Sequence, residues 1–164
     1  MPIKAMDCAA FLVNYALEKE NPVSNLQLQK MLFFAQVDYM TGHAGQKLFP
    51  DDIYAWQYGP VIPYVYSAYS RYGGSPILQP VASPQNGFAG VDELRQRVDS
   101  MDEDERQSLV KIYNNWANRP VWAIVAESHK PGMAWDRAYN RDGVPCSGYG
   151  DKISDALIMD TYGN

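Results

Sequence analysis

The 164-residue chain is poor in the side chains on which most catalysis is built, with two cysteines and two histidines. Cys8 and Cys146 stand alone, without C-x-x-C spacing, and suit reduced, buried, structural thiols rather than a disulfide framework. His43 lies in a glycine-flanked loop and reads as solvated. His129 falls at a predicted helix end, where an imidazole can bond the last carbonyls and suits the helix dipole. Neither is paired by spacing with another ligand, so a zinc site is unsupported and no cofactor is expected. Basic residues number 14 against 19 acidic ones, a net charge of −5, and they form no cluster. That excludes the electrostatic footprint of a nucleic-acid binder. No apolar run approaches the roughly 18–20 residues of a membrane span. The segment Met1 to Asp7 carries an early acid and no apolar core of a signal peptide. A soluble, cytoplasmic, non-enzymatic protein is the expectation.

What is present is helical pattern and aromatic rings. The length suits one domain, 1–164, able to bury a core without staples. Cys8 to Glu20 reads as a helix that stops at Asn21-Pro22. Ser24 with Gln27 three residues on is a capping box, opening a helix to about Thr41 with the stripe Leu28, Leu32, Ala35, Tyr39. Ile53 to Tyr58 reads as a strand, with Ile77-Leu78-Gln79 as a candidate partner. A helix from the Pro60/Pro63 region to Tyr72 ends at Gly73-Gly74. Val81 to Gly90 reads as a loop. Helices follow near 91–98 and 103–117, the second capped by Asp102 with Glu105. Pro120 opens another, with Val121, Ile124, Val125 and Trp122 as inward candidates, and turns at Trp135 to Tyr139 and Asp155 to Tyr162 close the chain. The predicted fold is α+β and predominantly helical: six or seven helices with a small two- or three-stranded sheet.

Templates for chemistry fail. Ser108 to Lys111 matches S-x-x-K but lacks the accompanying elements, and reads as helix surface. An EF-hand register around Gly143 puts Ala138 and Tyr149 at ligand positions neither can fill. Gly148-Tyr149-Gly150 lacks a third glycine in place for a phosphate cradle. Asp51 and Asp52, placed on a strand, would point to opposite faces instead of forming a pair. A hydrolase using His129 with Asp136 or Glu127 requires hydrogen-bond reach between them.

The aromatic excess is 13% of the chain, and six of the 12 tyrosines lie between Tyr54 and Tyr72. Tyr54, Trp56, Tyr58, Tyr64, Tyr66, Tyr69 and Tyr72 cannot all point inward from one strand and one short helix. Either their ring bodies are core with hydroxyls reaching solvent, or the exposed members are anchors for a protein partner.

Ordered motifs in the same region resemble a known family. Asn25 to Gln36 (NLQLQKMLFFAQ) resembles the L-x-L-Q-K-L-L-Y-F-A-Q helix of the Panacea, or SocA-like antitoxin, domain, formerly called phage-associated. Leu48-Phe49 and Ala55 to Val61 (AWQYGPV) resemble its L-F … A-W-x-x-G-P-V signature, and Ser128-His129 with Trp135 its S-H … P-W element. Ala134 stands where that element often has proline, and Phe33-Phe34 replaces Tyr-Phe. The motif positions are Leu28, Gln29, Lys30, Trp56, Gly59, Pro60, His129 and Trp135. Leu28 is expected in the core and Gly59-Pro60 at an extended-to-helix corner, with Gln29 and Lys30 bonding across to that corner or to His129.

The resemblance implies a largely helical antitoxin that neutralises a toxin protein encoded beside it, through direct binding. It leaves one variant, in which the chain acts as an adaptor delivering the toxin to a protease. Apart from the resemblance, a second copy of the chain stays open as a further partner. Val81 to Gly90 and Gly143 to Gly150 match nothing in the family pattern and are candidates for variation in partner choice.

Overall fold

Ser24 opens the central helix as its sequence predicts: the side chain accepts the Gln27 N–H at 3.2 Å, and Gln27 Oε1 accepts the Ser24 N–H at 2.9 Å. The structure, a computed structural model, describes residues 3–79, 91–140 and 150–163. Its elements are α1 (Ala5–Glu18), α2 (Asn25–Gly42), β1 (Tyr54–Trp56), β2 (Gly59–Val61), α3 (Pro63–Ala68), a 3-10 turn (Ser70–Tyr72), α4 (Val91–Asp99), α5 (Glu103–Trp116), α6 (Val121–Ser128), α7 (Ala134–Tyr139) and α8 (Asp155–Tyr162). The α+β, mainly helical class holds, with eight helices among the described residues rather than six or seven. The loop 81–90, Cys146 and nearly all of the 143–150 stretch lie outside the described residues.

Helix α2 is the axis. It packs against α1, α5, α6, α8 and β2, and is buried on nearly every side, not along one stripe: Leu28, Met31, Leu32, Phe33, Ala35 and Met40 are fully enclosed. A helix enclosed all round has little amphipathic signal to read. Cys8 is buried on α1, and burial pushes its thiol well above the ordinary range, as suits an inert structural cysteine.

Two polar contacts tie α5 to α2. Ser108 Oγ donates to Asp38 Oδ2 at 2.9 Å, and Lys111 Nζ to Asp38 Oδ1 at 2.7 Å. The S-x-x-K pair is therefore more than bare helix surface. Asp102 caps α5 through the reciprocal bonds with Glu105 that its spacing predicts, both 2.9 Å. His43 is not simply solvated. Its Nδ1 lies 2.8 Å from the Tyr39 carbonyl, its ring stacks on Tyr39, and Nε2 lies 3.3 Å from Asp104. The Tyr39 carbonyl and then Asp104 hold the imidazole above its usual range.

The small sheet has two strands, within the expected range, but its second strand is not the predicted one. β1 pairs antiparallel with β2, in the register Tyr54↔Val61, Ala55↔Pro60, Trp56↔Gly59, closed by the two residues Gln57 and Tyr58. Ile77 instead donates its N–H to the Val23 carbonyl at 2.8 Å, next to an isolated Ser24↔Pro76 bridge. Gly59-Pro60 is thus the returning strand and not the corner. The chain turns into α3 at Ile62-Pro63, where Pro63 needs no N–H partner. That helix ends at Ala68, shorter than predicted, and continues as the 3-10 turn. On α6, Ala123, Ile124 and Ser128 face inward while Trp122 is 72% exposed, which corrects its inward placement.

Candidate interaction surface

The backbone from Leu48 to Tyr66 is paired in part by the short β1–β2 hairpin, by the first turn of α3, and by the 151–153 segment, where the Ala55 N–H donates to the Asp151 carbonyl and the Ile153 N–H to the Ile53 carbonyl, both at 2.8 Å. Buried polar side chains of α2 supply much of what is left. Gln36 accepts the Leu48 N–H at 2.7 Å through Oε1 and donates Nε2 to the Phe49 carbonyl at 2.8 Å. Gln29 Oε1 accepts the Ile62 N–H at 3.0 Å, and its Nε2 donates to Asn25 Oδ1 at 2.9 Å. Asn25 Nδ2 in turn donates to the Tyr66 carbonyl at 3.0 Å. Lys30 Nζ donates to the Pro60 carbonyl at 3.0 Å. All four side chains are buried. Each pairs a backbone group of this segment, as buried backbone groups must be paired.

Lys30 bonds Pro60 of the expected Gly59-Pro60 pair, whereas Gln29 bonds Ile62, two residues beyond it, and among the described residues neither bonds His129. Leu28 is in the core. Among the described residues Lys30 has no carboxylate partner, and burial lowers its pKa from 10.5 to about 7. Gly59, at φ +114°, leaves room for the lysine stem: a Cβ there would meet Lys30 Cε at 2.6 Å and Ser128 Oγ at 2.9 Å.

The other motif residues close the same assembly from α6 and α7. Trp135 Nε1 donates to the Trp56 carbonyl at 2.7 Å. His129 stacks on Trp135 with ring centroids 3.9 Å apart, and its Nε2 is buried without a hydrogen-bond partner. Burial, then the Lys30 charge, lowers its pKa. Among the described residues the pair that hydrolysis would require is not formed: Asp136 is engaged by the Gly132 N–H and Asn140 Nδ2, both at 2.8 Å, and His129 Nε2 has no hydrogen-bond partner.

Above this clamp lie the predicted contact residues. Tyr58, at the hairpin turn, is 66% exposed, Tyr64 50% and Tyr66 40%. Tyr54, Trp56 and Tyr72 are half-buried, with Trp56 meeting Tyr66 edge-on at 5.4 Å. Tyr69 is buried with Val65 in the core, so it drops out of any contact surface. Its position one helical turn after Val65 carries that signal. Sequence reasoning missed the roles of Asn25 and Gln36, since a polar residue on a helix reads by default as surface. It also separated Asp51 and Asp52. They precede β1 and line one depression together with Tyr54 and Tyr64.

The fold and this surface define a helical domain built around a buried polar clamp, with part of its aromatic excess displayed on the outside. The chain belongs to the Antitoxin SocA-like, Panacea domain family, whose model matches residues 28–136 and so spans every motif position named above. Over 160 residues it is 29% identical to Antitoxin SocA of Caulobacter vibrioides (strain NA1000 / CB15N), covering 98% of this chain and 82% of that protein. No solved structure matches significantly. Among the described residues, no helix is long and apolar enough to cross a membrane.

Proposed function

We propose that this chain is an antitoxin that neutralises a protein toxin encoded by a neighbouring gene, by direct binding through the exposed tyrosines around the hairpin. The observation that carries the reading is the similarity to Antitoxin SocA along 98% of the chain. The surface adds to it: Tyr58, Tyr64 and Tyr66 are large amphipathic side chains left outside a filled core, the residue type most often found at binding hot spots. A half-buried Trp56 braces Tyr66, so part of the rotamer entropy of binding is already spent.

Coexpression tests it. The neighbouring gene alone should arrest growth, and this chain should restore it; a harmless neighbour, or arrest that persists, overturns the reading. Tyr58→Ala and Tyr66→Ala should each weaken the purified complex by about 1–2 kcal/mol or more in calorimetry, at unchanged thermal stability. Unchanged affinity in both places the interface elsewhere. Toxin half-life measured in the same cells separates simple binding, which leaves it unchanged or longer, from delivery to a protease, which shortens it.

A further inference from the structure

We propose that the depression between Asp51, Asp52, Tyr54 and Tyr64 is a receptor for one basic side chain, an arginine or a lysine, of the protein partner. The antitoxin reading supplies only the identity of that partner. The depression has a volume of 430 Å³ and is floored by Ile62 and Pro63. It is lined by two carboxylates and two tyrosines, and the cation at its edge among the described residues is Lys152, paired with Asp52. Rings and carboxylates around an apolar floor are what a guanidinium or ammonium on a methylene stem requires: a π face for the cation, a charged acceptor, and surface for the stem.

The acceptor is held in place. Asp51 Oδ1 accepts the Ala5 N–H at 2.8 Å at the start of α1, which fixes the orientation of this lining carboxylate. Tyr64 lies in its field, since burial and then the Asp51 charge raise the phenol pKa. Asp52 is paired with Lys152 at 3.1 Å, but both side chains are more than half exposed. A pair so solvated is exchangeable at little cost, so Lys152 is a weak competitor for Asp52. A metal ion is a poorer occupant, because among the described residues no three His, Cys, Asp or Glu side chains are grouped to hold one. Anionic ligands are opposed by the two carboxylates and by the chain's net charge of −5.

The test uses the full chain and two probes, N-acetyl-arginine amide and its uncharged analogue N-acetyl-norleucine amide, followed by amide NMR shifts. Arginine amide should shift Asp51, Asp52 and Tyr64 saturably, and norleucine amide should not. Asp52→Asn should weaken the arginine response about fivefold, and Lys152→Ala, which removes the competing cation, should tighten it about twofold. Equal response to both probes, or indifference to both variants, overturns the proposal. With the toxin, Asp52→Lys should weaken the complex at least about tenfold, restored by an Arg→Glu change at the toxin position that enters the site. Unchanged toxin affinity in Asp52→Lys overturns the proposal and leaves the antitoxin reading standing. If the wild-type chain neutralises nothing, the antitoxin reading falls, and the two amide probes alone then decide the chemistry of the depression.

Discussion

Lys30 donates its ammonium proton to the Pro60 carbonyl from a fully enclosed position, with its stem directly beneath Gly59. Proline at 60 has no N–H, so only its carbonyl needs a partner inside the protein. A lysine reaches it because its stem fills the apolar space between α2 and the returning strand, and its head provides one donor. The arrangement joins three motif positions into one contact: a long side chain, a strand without a Cβ to block it, and a carbonyl that it satisfies.

Gly59→Ala should be among the most damaging single-atom additions in the molecule. Its φ of +114° disfavours any side chain, and the new Cβ would sit 2.6 Å from Lys30 Cε. Strain and overpacking together predict a loss of about 2–4 kcal/mol, read as a fall in denaturant midpoint. The double variant Gly59→Ala/Lys30→Ala should lose less than the sum of its parts, because the clash disappears with the stem.

The lowered pKa of Lys30 makes a signed prediction. A lysine that titrates near 7 when folded and at 10.5 when unfolded binds fewer protons in the folded state between those values. Unfolding then takes up protons, and this group's contribution to stability rises with pH across that window, by at most about 1.4 kcal/mol per pH unit. Below pH 7 both states are protonated and the contribution is flat. Chemical denaturation from pH 6 to 10 should show the difference between wild type and Lys30→Met growing in favour of the wild type above neutrality. A difference independent of pH would show that Lys30 keeps its ordinary titration.

Local signals made much of this fold legible. Ser24 with Gln27 and Asp102 with Glu105 announce their helices because capping depends on residues three apart. Pro63 marks the first turn of α3 for a similar reason. The clamp was legible only through the family resemblance at Gln29 and Lys30. Nothing local distinguishes Gln36, which is buried because strands and helices distant in sequence close over it. The hairpin was misread because Gly59-Pro60 has the composition of a turn, whereas Gly59 is there for the close approach of Lys30 and Pro60 for its carbonyl. Asp51 and Asp52 were separated by treating them as strand residues, whereas β1 starts at Tyr54, one residue after the Ile53 that the pattern suggested, and leaves both outside it.

The α1–α4 contact rests on a buried ion pair. Arg97 Nε lies 3.1 and 3.0 Å from the two oxygens of Asp7, whose side chain is 2% exposed against 11% for Arg97. Asp7 also accepts the Lys4 N–H at 2.7 Å, capping α1. Asp7→Ala removes the cap and the carboxylate that compensates Arg97, and should cost about 3–5 kcal/mol in urea unfolding. Arg97→Met leaves Asp7 its bond to Lys4 and should cost less. The double variant Asp7→Asn/Arg97→Met should recover part of the loss, since an uncompensated buried charge costs more than a missing pair.

Tyr69 offers the opposite case, a substitution expected to help. Its ring fills the core beside α3 at 2% exposure, yet the buried hydroxyl has no hydrogen-bond partner. Burial is also what raises the phenol pKa far above its ordinary value. An unpaired buried hydroxyl carries its desolvation cost with no return, whereas the ring alone keeps the packing. Tyr69→Phe should therefore be neutral or stabilising by up to about 1 kcal/mol, which for a chain of this length is a rise of about 2–4 °C in Tm. Toxin binding should be unchanged, because Tyr69 lies beneath the surface that Tyr58, Tyr64 and Tyr66 present. A drop in Tm on calorimetry would mean that the hydroxyl is satisfied in solution, and a drop in affinity alone would return Tyr69 to the interface.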